Sequence, residues 1–486
     1  MYVGLDLGTS GLKAVLMNEE GDILSSKDYA YPVQQPKPLW SEQVPEDWWN
    51  ACQLAFDDLY EAQLLKNVKG IGIGGQMHGA VLLGEEGDVL RPAILWNDGR
   101  SWKACEALEQ QVKNSRDITG NLMMPGFTAP KLLWIQENEP EIFSKIHKVL
   151  LPKDYLRYKL SGSYFSEMSD AAGTMWLDTK NRAWHKGLLN ACGLTLSHMP
   201  ELVEGSDVAG QLLPGLAERW EINRVPLAGG AGDNACAAVG MGIVEAGQSM
   251  LSLGTSGVIF SVSPAFQQNC EEALHSFCHA LPDKWHLMSV HLSAASCVQW
   301  FADAVAHTKV SDIFDETGLS KVDVSRAPVF LPYLSGERTP LNNAFAVGNF
   351  FGLTVNTRQI DMLYAILEGV AFAFKDGLAA MQNAGHPVRE LDVLGGGARS
   401  PFWRDLLASV LDCNVLYRAG AEVAAGLGAA RLAKLAVEEN ACLSEVCRSA
   451  ELISTHQPNS ERQALLMNRY SKFTALKTAL LPFFKE

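Results

Sequence analysis

The sequence predicts an α/β protein made of two duplicated domains, each with a mixed sheet, and a cleft between the domains. Three observations predict this class: a motif that occurs twice, strand-like runs that alternate with helical segments, and a length of 486 residues that suits more than one core. LDLGTSG at residues 5–11 returns as LSLGTSG at residues 251–257. We therefore predict a boundary near residue 246, between a first domain over 1–246 and a second over 247–486.

Composition and charge exclude several classes of protein. Hydrophobic residues make up 47% and charged residues 20% of the chain, which is globular usage rather than that of a disordered chain. The net charge of −15 disfavours nucleic acid or an anionic membrane as the main partner. No apolar stretch approaches the roughly 18 residues of a membrane span, and the first residues lack the pattern of a signal peptide. Ten scattered cysteines fit a reducing compartment, so a cytoplasmic protein is expected.

Hydrophobic period and turn signals predict the elements in chain order. Both copies of the repeated motif have the pattern of a tight turn between antiparallel strands. Strands are expected at residues 2–7, 12–17, 22–31, 69–74, 80–83, 225–228, 249–253, 258–262 and 391–394. Helices are expected at residues 99–116, 137–150, 401–411 and 422–435, with a further one that begins at Asn234. No low-complexity linker joins the halves, so movement between them would be a hinge motion.

Three glycine-containing turns predict phosphate binding, at residues 6–11, 252–257 and 394–400. Successive backbone amides in such turns form concave sites for phosphate oxygens. Glycine allows the backbone to approach the anion and to adopt a positive φ.

The first of these turns carries a charge that its copy lacks. Asp6 could hold Mg²⁺ directly or through water, whereas the equivalent position in the second copy is Ser252. The positions beside Asp6 that would contact the phosphates are Gly8, Thr9, Ser10 and Lys13.

Several local patterns carry less weight. GIGIGG at residues 70–75 matches a dinucleotide-binding fingerprint as a string, but the residues after it alternate like a strand and turn instead of opening a helix. No Gly-Lys pair occurs in the chain, so ATP would need an architecture other than a Walker loop. A cluster of His275, Cys278 and His279 lacks the paired ligand sets of a structural zinc site and is interpreted as a strand and turn in the core. The tryptophans interpreted as packing residues are Trp40, Trp48, Trp49 and Trp96.

Asp233 and His78 leave two interpretations open. Asp233 lies in GGAGDN, after an expected strand and before an expected helix, where a carboxylate is either a helix cap or a reactive group held at a domain edge. His78 lies in GQMHG and either contacts a ligand or has the structural role that is more common for a lone histidine.

The whole set of motifs resembles one known family. The acidic glycine turn, its near-copy, GGAGDN and GGGAR at 395–399 resemble the actin/hexokinase-like (ribonuclease H-like) ATPases and, within them, the FGGY carbohydrate kinases. Residues 126–138 (GFTAPKLLWIQEN) and 348–368 (GNFFGLTVNTRQIDMLYAILE) resemble signatures of that family, and the likeness covers essentially the whole chain. It implies two domains with a duplicated core, a sugar in the first and ATP reaching across from the second, with Mg²⁺ as the ion.

The resemblance also implies roles at the matching positions. Asp233 resembles the base that accepts the proton of the sugar's 5-hydroxyl, and Asp6 resembles the carboxylate that positions Mg²⁺ and the transferring phosphoryl group. The implied sugar contacts are Met77, His78, Asn234 and, as a weaker candidate, Arg100. The implied ATP contacts of the second half are Gly254, Thr255, Gly395, Gly396, Gly397 and Arg399.

The implied activity is ATP-dependent phosphorylation of a small sugar. Strings such as PLWSEQ, GQMHGA and LPYLSGERTP resemble the members that convert D-xylulose to D-xylulose 5-phosphate. A kinase for another sugar or polyol, such as ribulose or gluconate, is the alternative within the family. A nucleotide-switched binding protein like actin or a chaperone is the alternative from another class. The expected partner is a small-molecule sugar, and the resemblance allows a homodimer.

Overall fold

The computed structural model describes residues 1–485 as two mixed sheets with helices packed on them. The strands of the first half are β1 Tyr2–Leu7, β2 Gly11–Met17, β3 Ile23–Ala30, β4 Glu42–Gln43, β5 Gly70–Gly75, β6 Val81–Leu83, β7 Ala93–Ile94, β8 Lys148–Leu150, β9 Phe165–Glu167, β10 Leu177–Asp178, β11 Ala183–Trp184, β12 Glu201–Val203, β13 Val208–Gln211, β14 Pro226–Ala228 and β15 Ala231–Gly232. Those of the second half are β16 Ser249–Leu253, β17 Gly257–Ser263, β18 His275–Cys278, β19 Trp285–His291, β20 Val329–Leu331, β21 Asn349–Phe351, β22 Glu390–Leu394, β23 Asn414–Arg418 and β24 Leu452–His456.

Helices connect and cover these strands. In the first half they are α1 Pro45–Glu61, α2 Trp102–Gln111, α3 Ser115–Thr119, α4 Thr128–Asn138, α5 Pro140–Phe143, α6 Pro152–Ser161, α7 Met168–Ala172, α8 Lys186–Ala191, α9 Pro214–Arg219 and α10 Asp233–Met241. In the second half they are α11 Ala295–Phe301, α12 Val310–Ile313, α13 Glu316–Ser320, α14 Gln359–Asn383, α15 Pro401–Leu411, α16 Ala424–Val437, α17 Leu443–Val446 and α18 Ser460–Leu480. Among residues 1–485, no helix is both long and apolar enough to span a membrane.

The two main sheets share one topology. In the first, β3, β2 and β1 pair antiparallel, and β5 and β14 then add parallel to β1. In the second, β19, β17 and β16 pair antiparallel, and β22 and β23 add parallel in the same order. The repeated glycine turns join the equivalent strands, β1 to β2 and β16 to β17. The duplicated α/β fold expected from the repeat is therefore confirmed.

Close backbone contacts join the two halves. Helix α16 lies across β1 and β5, where a Cβ at Gly4 would stand 2.0 Å from the Gly426 carbonyl oxygen and one at Gly72 would stand 1.9 Å from the Ala429 carbonyl oxygen. Gly4 and Gly72 are register partners in the sheet, so this helix packs directly on the sheet backbone. The alternating glycines of GIGIGG thus have a packing reason, since Ile71 and Ile73 fill the core on the opposite face.

Helix α10 crosses α16 next to the contacts that α16 makes with β1 and β5. A Cβ at Gly240 would stand 1.8 Å from the Ala424 carbonyl oxygen, and one at Gly428 would stand 1.8 Å from that of Cys236. Arg431 on α16 donates to the carbonyl oxygens of Val239 and Gly240, at 3.0 and 2.9 Å, which satisfies the carboxyl end of α10. Although α16 belongs to the second half by sequence, it is part of the first half's packing. The boundary near residue 246 stays a prediction.

Two expected helices are wrong in part. The segment 99–116 divides into α2 and the start of α3, and 137–150 contains the last two residues of α4, the short α5 and β8. The longer helix of this region is α4, which begins at Thr128, nine residues before the expected start. Helix α15 has the expected bounds, because Pro401 suits its first turn and the Ser400 hydroxyl accepts a hydrogen bond from the Trp403 amide, at 3.2 Å.

Candidate active site

A cavity of about 280 Å³ lies where the two halves meet. From the first half it is lined chiefly by Met77, His78, Trp96, Phe127, Asp233 and Asn234. From the second half it is lined chiefly by Ser252, Ser256, His275, Phe277, Met288 and Arg338. The structure therefore brings together four residues predicted as site residues, Met77, His78, Asp233 and Asn234, and surrounds them with groups from both sheets.

Asp233 presents one carboxylate oxygen to this cavity. It opens α10, and its Oδ1 accepts hydrogen bonds from the Asn234 backbone amide at 2.7 Å and from Asn234 Nδ2 at 2.9 Å. Oδ2 has no partner among the described residues. Burial raises the pKa of Asp233, and the two bonds from Asn234 act against that rise. The arrangement gives a carboxylate with one anchored oxygen and one oxygen available to accept a proton.

Hydrogen bonds from buried side chains fix the turn that precedes Asp233. The Gly232 amide donates to Ser169 Oγ at 3.1 Å, and that hydroxyl donates to Glu167 at 2.9 Å. The Glu167 carboxylate lies 3.4 Å from the buried Lys153 ammonium. A Cβ at Gly232 would stand 2.8 Å from the Met77 sulfur, so glycine is needed there for Met77 to reach the cavity. Sequence reasoning missed Ser169 and Glu167, because they lie more than 60 residues upstream.

Asp6 is an electrostatic neighbour of Asp233. Burial and, next, the negative charge of Asp233 raise the pKa of Asp6 to about 7, against the opposite effect of the Lys13 ammonium. Lys13 itself pairs with Asp28, with Nζ 2.7 Å from Oδ1. Asp6 itself does not line the cavity, but two neighbouring carboxyl groups that repel each other are typical of a place where a cation binds.

Thr9 lies in the same turn as Asp6 and forms a hydrogen bond with Trp96, which lines the cavity. Its hydroxyl accepts a hydrogen bond from Trp96 Nε1 at 3.0 Å and donates to Gln76 Oε1 at 3.3 Å. Gln43 Nε2 donates to the Thr9 carbonyl at 2.7 Å. Trp96 is therefore a wall of the cavity, and its interpretation as a packing residue is wrong. Gly8 donates to the Gly11 carbonyl at 3.0 Å, which closes the tight turn predicted there, and Ser10 is exposed.

His78 is held as a neutral imidazole. Its Nδ1 donates to the Gly173 carbonyl at 2.9 Å, so Nε2 carries a lone pair. Burial lowers the pKa of His78 to about 3, and the nearby Lys131 charge contributes. The backbone has φ +70° at His78, and the Lys131 ammonium donates to its carbonyl at 2.7 Å. A Cβ at Gly173 would stand 2.4 Å from the imidazole Cε1, so Gly173 makes room for the ring.

The second half supplies a matching histidine. Asn121 Nδ2 donates to the Thr119 and Ser276 carbonyls, which leaves Asn121 Oδ1 to accept from His275 Nδ1 at 3.1 Å. The His275 imidazole is therefore also neutral with Nε2 as an acceptor, and burial lowers its pKa well below the usual value. His275 belongs to this cavity wall, and no cluster of three or more His, Cys, Asp or Glu side chains placed to hold an ion occurs within residues 1–485.

A second pocket, of about 800 Å³, lies on the other side of the β16–β17 turn. Its glycine wall contains the predicted Gly254, Thr255, Gly396, Gly397 and Arg399. Its apolar wall contains Val298, Val310, Phe314 and Trp403. Gly395 supports the loop with φ +94°, and a Cβ there would stand 2.7 Å from the Leu253 carbonyl oxygen. An apolar wall beside a loop of backbone amides suits a purine base with phosphates attached.

The β16–β17 turn is shared by both pockets. Ser252 and Ser256 line the smaller cavity, whereas Gly254 and Thr255 line the larger pocket. The carbonyls of Gly254 and Thr255 accept the amides of Ala295 and Ala294, at 2.8 and 3.0 Å, which fixes the turn to the start of α11. This turn therefore forms part of the wall of both pockets.

Arg100 is not brought to the cavity. Its guanidinium forms ion pairs with Asp98 and Glu42, both at 2.7 Å, and stacks 3.5 Å from the Trp40 ring centroid. The side chain is 1% exposed. These contacts give Arg100 a structural role beside the site and do not support the weaker expectation that it touches the sugar.

The fold and the paired pockets define a phosphotransferase of known type. The description "FGGY family of carbohydrate kinases" fits both halves, the N-terminal domain over residues 1–240 and the C-terminal domain over 249–437. The chain belongs to this family.

The individual proteins to which the chain is similar include xylulose kinases and a gluconokinase. The chain is 51% identical to a xylulose kinase of Escherichia coli (strain K12), over 99% of both chains. It is 44% identical to a protein of Brucella ovis described as a xyloylose kinase, whose crystal structure superposes with a TM-score of 0.95 and covers 99% of both chains. A gluconokinase of Bacillus subtilis (strain 168) is 28% identical over 85% of this chain and 83% of its own.

Proposed function

We propose that the protein transfers the terminal phosphoryl group of ATP to the 5-hydroxyl of D-xylulose and so forms D-xylulose 5-phosphate. The observation that carries the proposal is the position of Asp233. Its Oδ2 faces the smaller cavity, and the β16–β17 turn separates this cavity from a pocket suited to a nucleotide. Full-length identity to xylulose kinases of Escherichia coli and Klebsiella pneumoniae, at 51% and 49%, supports D-xylulose as the sugar.

The reaction asks the protein for alignment and charge neutralisation. Asp233 Oδ2 accepts the proton of the 5-hydroxyl as that oxygen bonds to the terminal phosphorus, and the bond from phosphorus to the bridging oxygen breaks to release ADP. The amides of the β16–β17 turn neutralise charge that develops on the phosphoryl oxygens. Met77 and the Nε2 atoms of His78 and His275 fix the sugar in the cavity, and Asn234 orients the base.

The nucleotide is proposed to lie with its base against Phe314 and Trp403 and its phosphates along the loops of both halves. Arg399 and the amides of Gly396 and Gly397 contact the phosphates from one side. From the other side the proposed contacts are Gly8, Thr9, Ser10 and Lys13. For Lys13 this requires the ammonium to exchange its ion pair with Asp28 for a phosphate.

Mg²⁺ fits this site as an ion carried in with the nucleotide. The site offers it only Asp6 and the neighbouring Asp233, and Mg²⁺ is commonly held by one or two carboxylates together with substrate phosphates and water. The raised pKa of Asp6 is consistent with this, because burial and the neighbouring Asp233 charge both act against an ionised carboxylate in the absence of a cation. Bound there, Mg²⁺ would neutralise phosphate charge.

Coupled measurement of ADP release tests the proposal. Purified protein with Mg-ATP is assayed with D-xylulose, D-ribulose, L-ribulose, glycerol and D-gluconate. We expect D-xylulose to give the highest kcat/KM. Asp233→Asn should lower kcat by about 10²–10⁴, the range for loss of a general base, and leave sugar affinity within about threefold.

Asp283→Asn is the matched control, because this aspartate is exposed, has φ +54° and makes no contact with either pocket. Asp283→Asn should leave both kcat and the sugar affinity unchanged. Preference for D-gluconate or ribulose would refute D-xylulose as the substrate but leave the mechanism intact. Near-normal turnover by Asp233→Asn would refute the base assignment. Homodimer formation is a separate prediction, testable by light scattering of the same protein.

A further inference from the structure

Arg338 is a partly buried cation that lines the cavity, and the proposed reaction gives it no role. Among the described residues that line the cavity, it alone carries a permanent positive charge. Its guanidinium has no hydrogen-bond or ion-pair partner within residues 1–485. Burial lowers the pKa of Arg338, which reflects the cost of holding this charge away from water. An arginine in this state needs a ligand atom that accepts hydrogen bonds.

The neighbouring Glu337 does not fill this need. Its Oε1 accepts the backbone amides of Leu292 and Arg338, at 3.0 and 2.8 Å, and its Oε2 faces His291 Nδ1 at 3.4 Å. The carboxylate therefore fixes the backbone on which Arg338 stands and leaves the guanidinium free to face the cavity. Thr339, the next residue, anchors the same segment by donating to the Ala273 carbonyl at 3.0 Å.

Three of the remaining polar groups of the cavity present only acceptor atoms to it. Asp233 Oδ2, His78 Nε2 and His275 Nε2 each have a lone pair and no hydrogen, because their partner atoms are already committed. Asn234 Nδ2 gives one of its two hydrogens to Asp233, and the indole of Trp96 donates to Thr9. Ser252 and Ser256 can donate from the turn that also lines the larger pocket. Sugar hydroxyls can donate to the acceptors, whereas a sugar atom that only accepts needs a donor, and Arg338 is the charged donor of this cavity.

An open-chain ketose has such an atom. In its cyclic furanose form, a five-carbon 2-ketose uses the oxygen of C5 to close the ring, so the 5-hydroxyl exists only in the open chain. The form that can react at that hydroxyl therefore always carries a carbonyl oxygen at C2, which accepts hydrogen bonds and donates none. This argument rests on the proposed function, in which the 5-hydroxyl is the nucleophile.

Arg338 lies toward the histidine end of the cavity, because the next residue, Thr339, bonds to Val290 and Ala273, each two residues from the paired Met288 and His275. The charge of Arg338 contributes to the low pKa of both His78 and His275, whereas the pKa of Asp233 responds to its own burial and to Asn234. The rings of His78, Phe127, His275 and Phe277 form a connected cluster at this end, with centroid separations of 4.9 to 6.3 Å. A sugar whose 5-hydroxyl meets Asp233 directs its carbonyl end toward this cluster.

We propose that Arg338 donates hydrogen bonds to the C2 carbonyl oxygen of the bound sugar and so selects the open-chain ketose. The same charge makes the cavity a site for five-carbon sugar acids, whose carboxylate lies at the corresponding end. Arg338 is thus a specificity determinant that the second half contributes to the sugar site. A polyol of the same length, which has a hydroxyl at C2, gains less from it.

Three ligands of equal carbon number test this proposal: D-xylulose, xylitol and D-xylonate. In Arg338→Met we expect the KM for D-xylulose to rise about 10- to 100-fold, the range for loss of a charge-assisted hydrogen bond, with kcat within about threefold. Competitive inhibition by D-xylonate should be lost in the same variant, and weak inhibition by xylitol should change little. Arg338→Lys should keep part of both effects because it keeps the charge.

Arg326→Met is the matched control, because the Arg326 side chain is 87% exposed and touches neither pocket. Arg326→Met should leave the KM for D-xylulose and the inhibition by D-xylonate and xylitol unchanged. Equal weakening of D-xylulose and xylitol by Arg338→Met, or a fall in kcat at constant KM, would overturn the proposal. If Arg338→Met does not fold, the wild-type protein still decides: D-xylonate must inhibit more strongly than xylitol, and added salt must weaken only D-xylonate.

Failure of the proposed function is distinguishable from failure of this inference. Binding of the three ligands can be followed by tryptophan fluorescence, since Trp96 lines the cavity, without any turnover. A protein that binds D-xylonate through Arg338 but phosphorylates another sugar would refute only the proposed substrate. A protein that phosphorylates D-xylulose but is indifferent to Arg338→Met would refute only the role of Arg338.

Discussion

The negative charge of Asp233 acts on Asp6, so removal of that charge should be detectable at Asp6. Mg-ATP binding is expected to weaken as pH falls through about 7, because protonated Asp6 no longer attracts the cation. Asp233→Asn removes the neighbouring negative charge, so it should lower the Asp6 pKa and move the midpoint of this weakening toward acid.

Calorimetric titration of Mg-ATP between about pH 5 and 8 measures the two midpoints. Asp283→Asn, which alters a distant exposed carboxyl group, should leave the wild-type midpoint in place. An unchanged or more alkaline midpoint in Asp233→Asn would contradict the coupling.

At this residue scale, the sequence predicted the groups that stand in distinctive local motifs. The acidic turn pointed to Asp6, GQMHG to Met77 and His78, and GGAGDN to Asp233. The residues that were missed, Trp96, His275 and Arg338, reach the cavity only through packing of the two halves. His275 stood in a visible pattern, but its meaning depends on Asn121, which lies 154 residues away. Local sequence cannot supply such a partner.

At the scale of elements, the contact between α10 and α16 makes a prediction about stability. Alanine in place of glycine within a helix normally stabilises by about 0.5–1 kcal/mol. Gly428→Ala should do the reverse, because its Cβ would stand 1.8 Å from the Cys236 carbonyl oxygen and would separate the helices. Overpacking of this kind costs about 1–3 kcal/mol, so the thermal unfolding midpoint should fall.

Gly215→Ala in α9 is the matched control, because a Cβ there would meet nothing within 4 Å. Its unfolding midpoint should stay constant or rise. A Gly428→Ala protein as stable as the Gly215→Ala protein would show that the helix contact yields without cost.

The strands beside the repeated turns were predicted more accurately than the helices of the segment 99–150. The repeated turns fixed β1, β2, β16 and β17 to within a residue or two, because a tight turn determines where both flanking strands begin and end. The segment 99–150 was predicted poorly because it is built from short helices, α2 to α5, whose ends follow tertiary contacts more than capping residues. The position of α16 on the first sheet was also beyond sequence reasoning, since GIGIGG alone does not reveal which helix it accommodates.

For the molecule as a whole, the two pockets should be thermodynamically linked. Ser252 and Ser256 line the smaller cavity and Gly254 and Thr255 line the larger pocket, so in the proposed function one turn would contact both ligands. Water would compete with the sugar for the phosphoryl group, so we expect the halves to close around the cavity when both sites are filled. Helices α10 and α16, which join the halves by backbone contacts, are where such a hinge would act.

Asp233→Asn provides a ternary complex that does not turn over, in which this linkage can be measured. We expect Mg-ATP to increase the affinity for D-xylulose by about 5- to 150-fold, and D-xylulose to increase the affinity for Mg-ATP by the same factor, because binding linkage is reciprocal. AMP is the matched control ligand: it fills the base slot but has no terminal phosphate to pass the shared turn, so it should leave sugar affinity unchanged. Small-angle scattering should show a smaller radius of gyration only when Mg-ATP and D-xylulose are both present. Independent affinities together with unchanged scattering would mean that the halves form one rigid body and that the cavity excludes water without closing.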